Sequence, residues 1–271
     1  MSTNDCVTFL QWALPRLHMR WPGFRKVRGQ VCKRIRRRID ELDLDDYNDY
    51  RRYLEKHPEE WATLDSFCRI TISRFYRDRG VFDLLGHRLL PALAETAPRI
   101  RCWSAGCASG EEPYTLAIMW RMRQNPAEVP MHITATDASA VMLARASRAC
   151  YPEGALRELP DAWKTAAFEV QDEEFCLRTP YRDDVHFLQQ DIREEMPDGP
   201  FELILCRNLA FTYFDEALQA TVLQSILDRL VPGGILVLGA HEELPGGDWP
   251  LEGPLDGEPV VRHTPTGSAV A

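Results

Sequence analysis

The sequence predicts an α/β fold, with a mostly parallel sheet preceded by a small all-helical N-terminal domain, and three observations carry that prediction. Up to about residue 90, apolar side chains recur at helical spacing and no strand interrupts them. After Pro98, short apolar strands alternate with helices, the sequence form of a parallel α/β sheet. Several of those strands end in glycine or an acid, where open α/β sheets bind ligands. The expected organisation is a helical domain over 1–90, an α/β domain over 91–263 and a disordered tail over 264–271.

The first helix is expected over 7–17. In the second, Val27, Val31, Ile35, Ile39 and Leu42 fall on one face, and Lys26, Arg28, Lys33, Arg34, Arg36, Arg37 and Arg38 spread over the others. Asp45-Asp46 caps a third helix carrying Tyr47, Tyr50 and Leu54, and Pro58 opens a fourth with Trp61, Leu64 and Phe67. The charge is uneven. Ten of the 32 Lys and Arg lie between Arg16 and Arg38 without one acid, which leaves 22 basic against 41 acidic residues elsewhere. Two readings of the basic helix 26–38 stay open: a solvated surface helix, or a binding face for an acidic partner. The acidic remainder would repel phosphates, so no nucleic-acid partner is expected.

Strands are expected over 100–104, 132–136, 186–189, 203–206 and 235–239, with a late edge strand at 259–262. The first runs into Ala105-Gly106-Cys107-Ala108-Ser109-Gly110-Glu111-Glu112-Pro113, whose small residues let backbone approach a ligand. Neither the phosphate-loop pattern nor the glycine spacing of dinucleotide binders is present. Two carboxylates at the helix entrance favour a cation, and the sulfonium and ammonium of S-adenosylmethionine suit such a mouth; the same acids also sit favourably at any helix N-terminus. Asp137 and Asp191 then end the second and third strands, placed for a ribose and for an adenine amino group. Three successive strand ends of this kind favour binding of an adenosine-type cofactor.

No apolar run approaches the roughly 20 residues that cross a bilayer, and the N-terminus has no secretory signal pattern, so a cytoplasmic protein without membrane insertion is expected. The eight cysteines show no C-x-x-C pair, so neither a metal site nor a disulfide framework is expected.

The string Trp103-Ser104-Ala105-Gly106-Cys107-Ala108-Ser109-Gly110-Glu111-Glu112-Pro113-Tyr114, the strand end Ala135-Thr136-Asp137, Leu205-Cys206-Arg207-Asn208 and Pro232-Gly233-Gly234-Ile235-Leu236 resemble, in order and spacing, the chemotaxis-receptor glutamate methyltransferases, the CheR family. Residues 69–78 resemble that family's Asn-x-Thr-x-Phe-Phe-Arg-Glu segment, so the likeness covers roughly 23–245. It implies a class I, Rossmann-like methyltransferase domain with S-adenosylmethionine as cofactor and S-adenosylhomocysteine as product. A short antiparallel subdomain is implied between about 168 and 185. By the same resemblance Ala105, Gly106 and Glu111 surround the methionine part, Asp137 takes the ribose, and Asp191 and Ile192 lie by the adenine. Arg207 and Asn208 line the pocket floor, Thr71 and Ser73 stand where the family has Asn-x-Thr, and Arg77 and Tyr213 are the implied catalytic residues.

The departures fall on the acceptor side. Cys206-Arg207-Asn208-Leu209-Ala210-Phe211-Thr212-Tyr213-Phe214-Asp215 has one residue more than the family's pattern, which displaces Tyr213, and the family's Gly-His-Ser-Glu becomes Gly239-Ala240-His241-Glu242-Glu243. The leading expectation is O-methylation of a protein glutamate, with the basic helix docking an acidic helical partner. A small-molecule O-, N- or S-methyltransferase with a pocket rebuilt around Tyr213 and His241, and a non-catalytic S-adenosylmethionine-binding sensor or adaptor, are the alternatives.

Overall fold

The structure is a computed structural model and describes residues 3–123 and 129–264; the expected disordered tail lies, but for Thr264, outside the described residues. The chain forms two compact units, residues 1–70 with 212–219, and residues 71–211 with 220–271.

The first unit holds α1 (Thr3–Ala13), the short α2 (Trp21–Phe24), α3 (Arg28–Glu41), α4 (Tyr47–Lys56) and α5 (Glu60–Cys68). Asp46 caps α4 by accepting from the N–H groups of Asn48 (2.7 Å) and Asp49 (2.9 Å). The amphipathic stripe of α3 buries Val31, Cys32, Ile35 and Ile39 in a core with Phe9, Leu10, Phe24 and Tyr50. Residues 212–219 join this unit through a bridge between Met19 and Phe214 and a 2.8 Å bond from Arg20 N–H to the Tyr213 carbonyl.

The second unit begins at Thr71, twenty residues before the boundary expected at 90. Residues 71–96, with α6 (Arg79–Leu84) and α7 (Leu90–Thr96), are helical in part, but Phe75, Tyr76, Val81, Phe82, Leu85 and Leu90 belong to the core of the sheet. Helical periodicity gives an element's type and says nothing about which core it enters. There follow β1 (Ile100–Ala105), α8 (Glu111–Arg123), β2 (Met131–Asp137), α9 (Ala140–Arg148), β3 (Cys150–Tyr151), α10 (Asp161–Ala167), β4 (Phe168–Gln171), β5 (Glu174–Leu177), β6 (Val185–Gln189), β7 (Phe201–Cys206), α11 (Ala210–Tyr213) and α12 (Glu216–Leu227), whose residues 212–219 are counted with the first unit, then β8 (Leu230–Val237), β9 (Leu251–Glu252) and β10 (Val260–His263).

The main sheet runs β6-β2-β1-β7-β8-β10-β9, parallel from β6 to β8 and antiparallel at β10 and β9. In register, Ala105 lies opposite Thr136 and Cys206, and Asp137 opposite Gln189, so the carboxyl ends of four strands finish together. The order turns back between β1 and β7, which opens a crevice there. The antiparallel subdomain is three-stranded, β3-β5-β4, and recruits β3 from before the expected insertion. Its hairpin turns at Asp172 and Glu173, both at positive φ (46° and 66°), as a two-residue turn between twisted strands requires.

The cysteine expectation is corrected in part. Cys68, Cys102, Cys107 and Cys206 are free and buried, but Cys6 is bonded to Cys32 and Cys150 to Cys176. Helix packing makes the first pair and the β3–β5 register, in which Cys150 lies opposite Cys176, makes the second. Neither depends on a short spacing that a sequence scan would detect.

Candidate active site

The loop after β1 is folded back on β2. Gly106 and Cys107 N–H both donate to the Thr136 carbonyl (2.8 and 2.9 Å), and Trp103 donates its indole N–H to the Thr136 hydroxyl. Gly106 has φ +71°, a conformation that favours glycine, and a Cβ there would meet the Leu209 side chain of the loop after β7 at 2.7 Å. Asp137 ends β2 and accepts from the N–H groups of Ala108 (2.9 Å) and Ser139 (2.8 Å), one on each oxygen. It thereby ties the β1 loop to the β2 end.

The two glutamates at the head of α8 have different partners. Glu112 accepts from the Ser104 hydroxyl (2.7 Å) and from Arg207 (2.9 Å). Glu111 is 5% exposed, and burial pushes its carboxyl above the ordinary value against the pull of its own backbone N–H and of the Ser109 and Ser73 hydroxyls. A buried carboxylate held in this way gains most from a cation at its open side. Beside it, burial keeps the Cys107 thiol neutral.

The loop after β7 separates two arginines. Arg207, expected on the pocket floor, has a side chain only 3% exposed: it donates to Glu112, to Asp78 (2.6 Å) and to the Arg77 carbonyl (2.9 Å), and its guanidinium lies over the Phe82 ring. These acids draw it inward, so it is an anchor for residues 77–78. Arg77 is half-exposed and donates to the Ile72 carbonyl (3.0 Å) and to Asn208 Oδ1 (3.1 Å). Asn208 in turn has φ +55° and donates its backbone N–H to Glu242.

The structure therefore gathers Ala105, Gly106, Glu111, Asp137, Ser73, Arg77 and Asn208 around the carboxyl ends of β1, β2 and β7, with Thr71 half-buried at the start of the same segment. Asp191 and Ile192 follow β6 as expected, but the Asp191 carboxylate is bound twice by Arg193, at 2.9 and 2.6 Å. Tyr213 belongs to the first unit, where its ring packs on Phe24 at 5.0 Å. His241 is exposed, and its neighbour Glu242 is the buried group of that turn. Sequence reasoning gives Glu242 no role, although an acid following a glycine-ended strand was the available signal, and it pairs Glu112 with Glu111 at the helix entrance without separating their partners.

An open parallel sheet with a glycine loop at its switch point and acids at the neighbouring strand ends defines a nucleotide-cofactor-binding α/β enzyme. Residues 71–252 match the family model of the CheR methyltransferase, SAM binding domain, and residues 26–64 that of the CheR methyltransferase, all-alpha domain. The chain is 30% identical over 216 residues to a chemotaxis protein methyltransferase of Listeria innocua (79% of this chain, 81% of that one). It is 32% identical over 212 residues to one of Borreliella burgdorferi (74% and 75%). Among solved structures it is similar to the N-methyltransferase NodS of Bradyrhizobium japonicum, at TM-score 0.40 and 16% identity over 69% of this chain and 99% of that one. The chain belongs to the CheR methyltransferase family, and it is an S-adenosylmethionine-dependent methyltransferase. Among the described residues, no helix is long and apolar enough to cross a membrane.

Proposed function

We propose that the enzyme O-methylates a glutamate carboxylate on an acidic helical protein, and that Arg77 positions that carboxylate. The observation that carries the reading is the contrast between the two arginines. Both terminal nitrogens of Arg207 are taken up by Glu112, Asp78 and a carbonyl, whereas Arg77 is half-exposed, fixed at two points, and keeps the rest of its donor fork available. A planar guanidinium grips a carboxylate at two points. A carboxylate is ionised at neutral pH, so it attacks without a base and needs only alignment. The exposed His241 is accordingly not required, which weighs against the small-molecule reading.

The residues present fit the cofactor. Gly106, at φ +71°, lets the loop after β1 turn back on β2, Glu111 presents a buried carboxyl suited to a cation, and Asp137 closes β2 with both oxygens oriented by backbone donors. Ala105, Gly106 and Glu111 would hold the methionine part, with Thr71, Ser73 and Asn208 around it, and Asp137 the ribose. Asp191 and Ile192 would lie by the adenine, with Arg193 sharing Asp191. S-adenosylmethionine supplies a methyl group made electrophilic by its positively charged sulfur. Arg207 holds the Arg77–Asp78 backbone in place, and Arg77 steers the acceptor oxygen.

The docking face is narrower than the whole basic helix. Arg34 donates to the Phe67 and Arg69 carbonyls, Arg37 pairs with Glu41, and Arg38 with Glu60 and Glu41. Lys26, Arg28, Lys33 and Arg36 instead line a surface cavity of about 420 Å³ with no acid in its wall. That cluster is the part of the proposal that receives an acidic partner. A cytoplasmic address also belongs to it, and the two disulfides make it testable: alkylation in intact cells that finds Cys6, Cys32, Cys150 and Cys176 all bonded would point to an oxidising compartment instead.

The test offers tritiated S-adenosylmethionine to a lysate of the source organism with the parent enzyme, Arg77→Ala and Arg77→Lys. The expected result is label in an alkali-labile protein ester, lost by about 100-fold or more in Arg77→Ala and poorly restored by lysine. Label in an alkali-stable product or a small molecule overturns the reading.

A further inference from the structure

Three backbone N–H groups from two separate loops converge on one buried carboxylate. Glu242, 8% exposed, accepts from Gly239 (2.6 Å) and Asn208 (2.8 Å) on Oε2 and from Leu209 (3.1 Å) on Oε1. Gly239 is glycine of necessity: a Cβ there would stand 2.8 Å from Glu242 Oε2 and 3.0 Å from Asn208. The loop that ends β8 is thus pressed against the loop that follows β7, with the carboxylate as the link between them.

What that link holds is a residue in an unfavourable backbone state. Asn208 sits at φ +55°, a region that side chains other than glycine's resist and that asparagine tolerates best. With its N–H and that of Leu209 fixed by Glu242, the Asn208 side chain is directed so that its Oδ1 accepts from Arg77 Nη2 (3.1 Å). The second fixed point of Arg77, the Ile72 carbonyl, lies on its own segment. Asn208 is therefore its restraint from the sheet.

We infer that Glu242 is a positioning residue for the transfer step: by clamping the Asn208–Leu209 backbone it sets the orientation of the Arg77 guanidinium. The inference rests on the reading of Arg77 as the residue that aligns the acceptor carboxylate. Glu242 touches neither acceptor nor cofactor in this role; it acts through Asn208.

Glutamine and aspartate variants separate the parts of the clamp. In Glu242→Gln one oxygen becomes an NH₂ group that faces an N–H donor, so at least one of the three bonds is replaced by a donor–donor contact. Glu242→Asp keeps the charge but is shorter by one C–C bond, about 1.5 Å, and cannot reach both loops. It serves as the second variant should the glutamine form fold poorly.

The first readout does not involve turnover. In protein labelled with ¹⁵N-arginine, the Arg77 side-chain signals, assigned by their loss in Arg77→Lys, should lie apart from the free-guanidinium position in the parent. They should collapse toward it in Glu242→Gln and partly in Glu242→Asp, while the thermal transition and S-adenosylhomocysteine affinity show that each variant is folded. Unchanged Arg77 signals in a folded variant overturn the inference. The second readout is tritium transfer to the lysate's alkali-labile protein ester at saturating cofactor. Glu242→Gln should lower it about tenfold or more in the parent background and less than twofold in Arg77→Ala, because the two act as one unit. Equal fold-losses in both backgrounds overturn the inference. Collapse of the signals together with full activity of Arg77→Ala supports the clamp and removes Arg77 from the acceptor site.

Discussion

Replacing Arg207 by methionine separates an anchor from a ligand contact. The substitution keeps an unbranched apolar stem and removes the guanidinium with its charge, leaving Glu112 and Asp78 without their common partner. Breaking a buried ion pair by removing one member costs about 3–5 kcal/mol, because the remaining charge stays desolvated. Here the upper end does not apply: Glu112, at 14% side-chain exposure, keeps the Ser104 hydroxyl, and Asp78 is 28% exposed and can rehydrate. The expected loss is about 3 kcal/mol. A domain of about 150–250 residues loses about 2–4 °C per kcal/mol, so the cofactor-free protein should melt about 6–12 °C lower. Calorimetric melting and S-adenosylhomocysteine titration on Arg207→Met supply the two numbers. A melting point within about 3 °C of the parent's together with strongly weakened binding would return Arg207 to the pocket floor and refute the anchor.

Asp137→Ala should weaken S-adenosylhomocysteine binding by about 1.5–3 kcal/mol, the value of hydrogen bonds to a charged group, and calorimetry showing unchanged affinity removes Asp137 from the site. Because burial raises Glu111, its ionised form, the one that attracts a cation, is lost as pH falls through a value above the ordinary 4.5. Cofactor affinity should therefore decline on acidification sooner than an ordinary glutamate would cause, and Glu111→Gln should flatten that profile; a profile identical in the two proteins refutes the assignment. Arg38 and Tyr50 hold Glu60 below its ordinary value, so its contribution to stability is present above the unfolded value and disappears as pH falls through the lower folded one. Arg38→Met should lower the melting point of the helical unit at pH 7 and make it less dependent on pH below about 4.5, which melting curves across that range would contradict if the two proteins run parallel. Lys33→Glu with Arg36→Glu should slow transfer to a protein acceptor in a salt-dependent way while Arg37→Ala leaves it near the parent's, and equal rates for all three would dismiss the basic cavity.

The donor half of the site was legible because its residues are consecutive or close to strand ends. Gly106, Glu111 and Asp137 stand in or next to runs whose period marks β1, α8 and β2, and parallel pairing in register brings those ends together. The fold was legible for the same reason, and so was the Asp46 cap. What escaped depended on contacts between residues distant in sequence. The residue 90 boundary was placed by helix type, but Phe75 and Phe82 enter the sheet's core. The disulfides depend on packing across 26 residues in each case. Glu111 and Glu112 are indistinguishable as letters, and only the hydroxyl and the guanidinium around Glu112 give it a different task.

The two arginines show the limit most clearly. Both stand in family-like strings, and each is a reasonable carboxylate or cofactor contact by residue type. Their fates are decided by where acids happen to stand in three dimensions. Asp78 and Glu112, 34 positions apart, meet at Arg207 and take it out of solvent, while Arg77 meets the amide oxygen of Asn208 and the Ile72 carbonyl of its own segment. An arginine facing two carboxylates is neutralised and buried; one facing two neutral acceptors keeps its full charge at the surface of the site, with geometry fixed and affinity for an anion unspoiled. With Arg77 in its proposed role, the enzyme needs the acids at Arg207 as much as it needs none at Arg77. Adding a carboxylate beside Arg77, as Asn208→Asp would do, should quench acceptor binding while leaving the Arg207 network intact.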